Sequence, residues 1–153
     1  MGKVEDRLAE LGIRLPDVPA PLGSYKPVSK SGNLIFISGQ LPIVGGQLLH
    51  QGKVEKDVSI EEATEAARAC SINALAVLKK ELESLNAVRQ IVKLTGYVSS
   101  SPGFGKQANV INGASDLFFH VFGEAGRHAR AAVGVSELPM NSPVEIEVIA
   151  EVV

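Results

Sequence analysis

The C-terminal end of the chain shows a strict alternation of apolar and polar residues. From residue 144 to residue 148, valine and isoleucine occupy the even positions, and Glu145 and Glu147 occupy the odd ones. A period of two predicts a strand with one apolar and one polar face, which we extend over residues 144–153. Further strands are predicted at residues 25–28, 33–38, 88–99 and 129–138, with a short hairpin around Gly45-Gly46.

Two longer segments between these strands have helical character. Ser59 followed by Glu62 is a capping-box pattern, and the helix that it starts is predicted to run to about Leu85. A second helix is predicted over residues 104–122. The residues that it turns toward a core are Val110, Leu117 and Phe118.

The order of these elements predicts the fold class. Strand runs interspersed with two helices, in the order β-β-β-α-β-α-β-β, indicate an α+β fold with one sheet and both helices on one face. The second face of such a sheet would then need a cover, although the last strand presents one apolar and one polar row. Assembly of several copies of the chain would provide that cover.

Composition limits the functions that this chain can have. Its 153 residues are 45% hydrophobic and 21% charged, which suits the core of one globular domain. The formal net charge is −2 and the basic residues are scattered, so we expect no nucleic-acid binding. The N-terminus carries charges at helical intervals without a continuous apolar run. We therefore expect neither a signal peptide nor a membrane span, and a cytoplasmic location.

Arg130 and Glu145 form the strongest candidate site. Arg130 shares its strand face with Ala132 and Gly134, which are too small to fill the space above the strand. A planar guanidinium beside open space suits a carboxylate ligand, and Glu145 across that space can orient or activate a water. Spacing alone equally allows a structural ion pair of Arg130 with Glu145 or Glu147.

Other reactive residue types are interpreted as structural or as pocket lining. The lone Cys70 lies in an apolar-rich run and is assigned to the core. His50, His120 and His128 lie far apart without acidic neighbours at ligand spacing, so we expect no metal site. Ser38 lacks the context of a catalytic nucleophile and is interpreted as a pocket hydroxyl.

The C-terminal segments carry a family resemblance. The sequence ARAAVGVSELP at residues 129–139, followed by VEIE at residues 144–147, resembles the signature of the YjgF-like, or reactive intermediate deaminase, family. The resemblance includes the fifteen-residue step from Arg130 to Glu145.

Upstream positions extend this resemblance. Tyr25 precedes the Ser38-Gly39-Gln40 triplet by the family's interval, and Asn112 lies before a phenylalanine pair as in the family's second helix. The resemblance covers residues 21–153, which we treat as the YjgF-like domain. Residues 1–20, a short helix and a Pro-rich arm, lie outside it, and we expect the fold not to need them.

The resemblance implies a fold, an assembly and a site. The fold is chorismate-mutase-like, of the bacillus type, and three copies form a homotrimer whose sheets close into a central β-barrel. Clefts between subunits bind small carboxylates, namely 2-imino or 2-oxo acids. By resemblance, Arg130 binds the carboxylate and Glu145 positions the attacking water. The other residues that the resemblance places in the pocket are Tyr25, Ser38, Gly39, Asn112 and, through its backbone, Ala132.

Three functions follow as hypotheses. The first is hydrolytic deamination of reactive 2-imino or 2-enamino acids to 2-oxo acids and ammonia, without a cofactor. The second is non-catalytic binding or sensing of a small carboxylate, suggested by the N-terminal extension and by His128 where the family signature normally has Pro or Ala. An endoribonuclease activity, also attributed to parts of this family, ranks third because the chain is acidic.

Overall fold

A mixed five-stranded sheet forms the centre of the molecule. The computed structural model describes residues 2–18, 20 and 23–153. The sheet strands are β1 (Val28–Ser31), β2 (Leu34–Gln40), β5 (Val88–Ser99), β6 (Ala129–Val135) and β7 (Val144–Val152), and β3 (Ile43–Val44) and β4 (Gln47–Leu48) form the predicted hairpin. The order in the sheet is β1-β2-β7-β5-β6, with β5 and β6 parallel and the other neighbours antiparallel.

Two helices cover one face of this sheet. Helix α2 (Ile60–Leu82) packs against β2 and β7, and helix α3 (Gln107–Phe122) packs against β5 and β6. The capping box that starts α2 is confirmed. The Ser59 hydroxyl accepts from the Glu62 amide at 3.1 Å, and the Glu62 carboxylate accepts from the Ser59 amide at 3.0 Å. Within the described residues, no helix is long and apolar enough to cross a membrane.

The two faces of the sheet differ in what covers them. Val144, Ile146 and Val148 of β7 are buried beneath the helices, as their alternation predicts. On the opposite face, Phe36 and Val133 remain 41% and 43% exposed in the single chain. The predicted α+β fold with both helices on one face is confirmed, and its second face is open.

Two predicted strand boundaries are wrong. The first strand runs over Val28–Ser31 instead of residues 25–28, because its residues pair along the outer edge of β2 and need no apolar alternation there. The strand predicted over residues 129–138 ends at Val135. A 3₁₀ turn at Pro139–Asn141 follows, and proline cannot donate to a sheet ladder.

The N-terminal helix α1 (Lys3–Glu10) packs against the domain. Leu8 is buried in the hydrophobic core. The Glu5 carboxylate accepts a hydrogen bond from the Leu85 amide at 2.8 Å, and the Arg7 Nε donates to the carbonyl of His120 at 2.9 Å. The boundary between residues 20 and 21 stays a prediction, but these contacts argue against a separable arm.

Candidate functional site

Arg130 is held by helix α3. In the parallel ladder it pairs with Leu94 of β5, whose side chain is buried beneath the helices, so Arg130 also points toward the helical layer. Its Nη1 donates to Asn112 Oδ1 at 2.8 Å and to Ser115 Oγ at 3.2 Å. Asn112 and Ser115 lie three residues apart on α3, on one side of the helix. The helix therefore fixes one nitrogen of the guanidinium.

The rest of the Arg130 guanidinium is available to a ligand. Among residues 2–18, 20 and 23–153, no other hydrogen bond reaches it, which leaves the edge formed by Nη2 and Nε. This edge matches a carboxylate with two parallel hydrogen bonds. Arg130 also lines a cavity of about 390 Å³. The cavity is lined by Ser115, Asp116, Phe119, Arg127, His128 and Arg130.

Within the described residues of a single chain, Arg130 forms no ion pair with Glu145 or Glu147. In the described part of the chain, the salt bridges involve other residues, and the partners of Arg130 are an amide and a hydroxyl. Among the described residues, no carboxylate therefore lies within salt-bridge distance of this guanidinium, so its charge is available to an anionic ligand.

The open space that the sequence predicts over Ala132 and Gly134 is not found there. A Cβ atom at Gly134 would come within 2.8 Å of Gln107 Nε2 and 2.9 Å of Ser100 Oγ, so this position is already filled. Ala132 is half-buried and packs against the core. The room beside Arg130 is thus over the α3 side of the strand rather than along Ala132 and Gly134.

Glu145 lies in a different part of the sheet. It is half-buried on β7, beside the end of β2, where its carboxylate occupies the position that a Cβ atom on Gly39 would take. Burial raises the pKa of Glu145, and the nearby Glu147 carboxylate raises it further. Glu147 in turn accepts a hydrogen bond from the Tyr97 hydroxyl at 2.5 Å. The absence of a side chain at Gly39 therefore makes room for a carboxyl group whose pKa is raised.

The Ser38 side chain connects β2 to the segment that contains Tyr25. The Ser38 hydroxyl donates to the Lys26 carbonyl at 2.5 Å, which ties β2 to the segment before β1. Tyr25 lies in that same segment with 56% of its surface exposed. The structure thus brings Ser38, Gly39 and Glu145 together. Tyr25 comes directly before Lys26, whose carbonyl accepts the hydrogen bond from Ser38.

Arg130 and Glu145 do not share one cleft within a single chain. Strand β5 separates their strands, and Leu94 pairs with Arg130 on one side and with Val148 on the other. Val148 faces the helices, and Glu145, three residues away, faces the opposite side of the sheet. The candidate residues therefore form two separate halves. One half contains Arg130, Asn112 and Ala132, and the other contains Glu145, Ser38, Gly39 and Tyr25.

Two residues beside Arg130 were not predicted as part of the site. Ser115 contacts the guanidinium directly, and His128 contacts Ser115 with its Nε2 at 2.9 Å. A helical offset of three residues from Asn112 is the sequence signal that points to Ser115. His128 lies beyond the end of α3, and no regular spacing connects it to the helix.

Comparison with known proteins identifies the family. Residues 5–152 match the family model described as "YjgF/chorismate_mutase-like, putative endoribonuclease". Protein TCP17 of Trypanosoma cruzi is 42% identical over 153 residues, which span 98% of this chain and 94% of that protein.

Solved structures share both the length and the fold. The crystal structure of the protein Atu1372 from Agrobacterium tumefaciens is 47% identical with a TM-score of 0.92, covering 98% of this chain and 92% of that one. The structure of a "putative endoribonuclease" from Shewanella oneidensis is 36% identical with a TM-score of 0.95, covering 99% and 100%. With a family match over almost its whole length, this chain belongs to the YjgF/chorismate-mutase-like family.

Proposed function

We propose that this chain hydrolyses reactive 2-imino or 2-enamino acids to 2-oxo acids and ammonia in a cleft between two copies of the chain. The observation that carries this proposal is the Arg130 guanidinium, which α3 holds by one nitrogen, which keeps its other two nitrogens free of hydrogen bonds to the described residues, and which lines a cavity. A 2-imino acid has its carboxylate bonded directly to the imine carbon. Binding on Arg130 therefore fixes the reacting atom as well.

Glu145 supplies the second part of the chemistry. Its carboxylate takes a proton from a water molecule, whose oxygen forms a bond to the imine carbon. That proton passes to the nitrogen, which gives a carbon bearing one hydroxyl and one amino group. The hydroxyl proton then passes to the amino group, the carbon–oxygen double bond forms as the carbon–nitrogen bond breaks, and ammonia leaves. Water and imine are thus converted to oxo acid and ammonia without a cofactor. A pKa raised by burial suits this exchange, because a carboxyl group transfers protons best when its pKa approaches the working pH.

The two halves of the site would meet across a subunit interface. Since Arg130 and Glu145 face opposite sides of one sheet, a second copy must supply the glutamate that works with a given arginine. A homotrimer whose sheets close into a barrel would also cover Phe36 and Val133 on the open face. Sedimentation that shows a monomer at micromolar concentration would remove the shared cleft.

The remaining candidates take supporting roles in this proposal. Gly39 admits the Glu145 carboxylate close to the backbone of β2. Asn112 orients Arg130, and Ser38 and the exposed Tyr25 would line the opposite wall of the cleft. Ala132 would contribute its backbone. The cytoplasm is the proposed location, which cell fractionation tests.

Imine hydrolysis can be measured directly with 2-imino acids generated in the assay by an amino acid oxidase. The parent protein should speed the appearance of the 2-oxo acid, and Glu145→Gln should abolish this effect because an amide cannot accept the proton. Glu151→Gln is the matched control, since Glu151 also lies half-buried on β7, where it accepts from Gln90. Equal rates for the parent and Glu145→Gln would refute the role of this carboxylate.

A second candidate function is binding of a small carboxylate without catalysis. The observation that favours it is that Arg130 has no carboxylate partner among the residues that the structure describes, so it can hold an acid whether or not Glu145 takes part. A parent protein that binds 2-oxo acids but leaves imines unchanged would establish this function. The endoribonuclease description of the family ranks third, because a net charge of −2 offers little attraction to a phosphate backbone.

A further inference from the structure

Three consecutive hydrogen bonds connect the main chain to Arg130. His128 Nδ1 lies 2.6 Å from the carbonyl oxygen of Gly126, and its Nε2 lies 2.9 Å from Ser115 Oγ. Ser115 Oγ lies 3.2 Å from Arg130 Nη1. At one end a carbonyl oxygen can only accept, and at the other end a guanidinium can only donate. When the His128 ring is neutral, these ends fix the direction of the bonds between them.

Each atom between Gly126 and Arg130 has a defined role as donor or acceptor. Nδ1 of His128 must carry a hydrogen, because the Gly126 carbonyl cannot donate one. In the neutral ring Nε2 then has no hydrogen and accepts the hydroxyl proton of Ser115. The Ser115 oxygen in turn accepts from Arg130. Burial lowers the pKa of His128 and the Arg130 charge acts in the same sense, while the hydrogen bond to Gly126 opposes both.

This arrangement limits how the Arg130 guanidinium can rotate. Nη1 has two hydrogens, and one is directed to Asn112 and the other to Ser115. The His128 ring is itself held edge-on against Phe118, with ring centroids 6.1 Å apart and planes at 86°. With Nη1 fixed on both of its hydrogens, the edge formed by Nη2 and Nε has one orientation.

We propose that Ser115 and His128 are positioning residues that aim the free edge of Arg130 at the ligand carboxylate. This inference rests on the proposed carboxylate pocket. Ser115 holds the guanidinium directly, and His128 acts through Ser115 by keeping the hydroxyl proton turned away from Arg130. Without His128, the hydroxyl can rotate and the guanidinium loses a fixed acceptor.

The first test needs no ligand and no variant. Two-dimensional ¹⁵N–¹H NMR of the imidazole rings in the full chain distinguishes a hydrogen on Nδ1 from one on Nε2. At neutral pH, His128 should be uncharged with its hydrogen on Nδ1, the less common form in solution. A hydrogen on Nε2, or a charged ring, would overturn the proposal, because Ser115 could not then donate to His128.

The second test measures pyruvate binding by calorimetry. Ser115→Ala and His128→Phe should each weaken binding about five- to tenfold, the effect of one hydrogen bond, and Ser115→Thr should restore it. His120→Phe is the control for His128→Phe, since His120 is exposed on α3 and lines a different cavity. In imine hydrolysis the loss should appear in KM more than in kcat.

The outcomes separate this inference from the proposed function. If the parent binds pyruvate and Arg130→Lys weakens binding but Ser115→Ala does not, the positioning role is wrong and the pocket remains. If the parent binds neither pyruvate nor other 2-oxo acids, the proposed function fails. In that case the tautomer of His128 still decides whether the hydrogen-bonded chain to Arg130 exists as described.

Discussion

Replacement of Arg130 should separate ligand binding from stability. Its hydrogen bonds to Asn112 and Ser115 involve neutral partners near the surface, and each contributes about 0.5 to 1 kcal/mol. Arg130→Ala should therefore lower the free energy of unfolding by only about 1 to 2 kcal/mol. Loss of one partner of a buried ion pair would instead cost about 3 to 5 kcal/mol.

The effect on ligand binding should be larger than the effect on stability in the Arg130→Lys variant. Lysine keeps the charge but offers one ammonium group in place of two parallel N–H donors. Charge-assisted hydrogen bonds contribute about 1.5 to 3 kcal/mol, which corresponds to a loss of roughly ten- to a hundredfold in affinity. We expect this loss for pyruvate and for other small 2-oxo acids.

The assay combines denaturant unfolding with calorimetric titration of pyruvate. Arg89→Lys is a suitable control, because Arg89 is also an exposed arginine on a strand. A variant of Arg130 that unfolds several kcal/mol more easily, yet binds pyruvate as the parent does while folded, would refute the reasoning. It would show that the guanidinium supports the fold and not the ligand.

Further substitutions test the other half of the site and the helical packing. The folded state raises the pKa of Glu145, so it favours the protonated carboxyl over the ionised one. The free energy of unfolding is therefore higher at low pH, where Glu145 is protonated, and it falls as the pH rises through the folded pKa. Glu145→Gln should therefore raise Tm at pH 8 and leave it nearly unchanged at pH 4. Gly39→Ala should displace the Glu145 carboxylate and reduce imine hydrolysis while Tm changes little, since the end of a flexible side chain can move. Gly113→Ala should lower Tm strongly, because its Cβ would overlap the backbone carbonyl of Thr64 where α2 and α3 meet. Leu8→Ala should cost about 2 to 5 kcal/mol in denaturant unfolding, since Leu8 is buried in the core.

Each of these expectations has a result that would contradict it. An equal gain of Tm for Glu145→Gln at both pH values would mean that ionisation of this carboxyl is not the cause. Full hydrolysis in Gly39→Ala would show that the position of the carboxylate is not critical. A Leu8→Ala variant as stable as the parent would support residues 1–20 as a separable arm after all.

The fold was predictable where the signals are local. Ser59 and Glu62 carry a capping box within four residues, and the alternation of residues 88–99 coincides with β5. The first strand was misplaced because Ser29–Ser31 pair at an edge, where the backbone ladder rather than an apolar row holds them. Edge pairing depends on residues distant in sequence, which a local pattern cannot show.

The site was predictable only in part. Family resemblance indicated Asn112, which the structure places 2.8 Å from Arg130. Ser115 and His128 could not be connected from the sequence, because a helix end and a 3₁₀ turn lie between them. The sequence also suggested that Arg130 and Glu145 lie across one space. The insertion of β5 between β6 and β7 is a matter of topology, and the fifteen-residue step does not reveal it.

Arg130 and Glu145 face opposite sides of the sheet, so two inactive variants of this chain should complement each other. An Arg130→Ala chain and a Glu145→Gln chain, each inactive alone, should restore imine hydrolysis when they are expressed together. In the proposed cleft between one chain of each kind, the intact Arg130 of the Glu145→Gln chain can work with the intact Glu145 of the Arg130→Ala chain. A cell carrying one allele of each kind would keep the activity, whereas a cell carrying two alleles altered at the same residue would lose it.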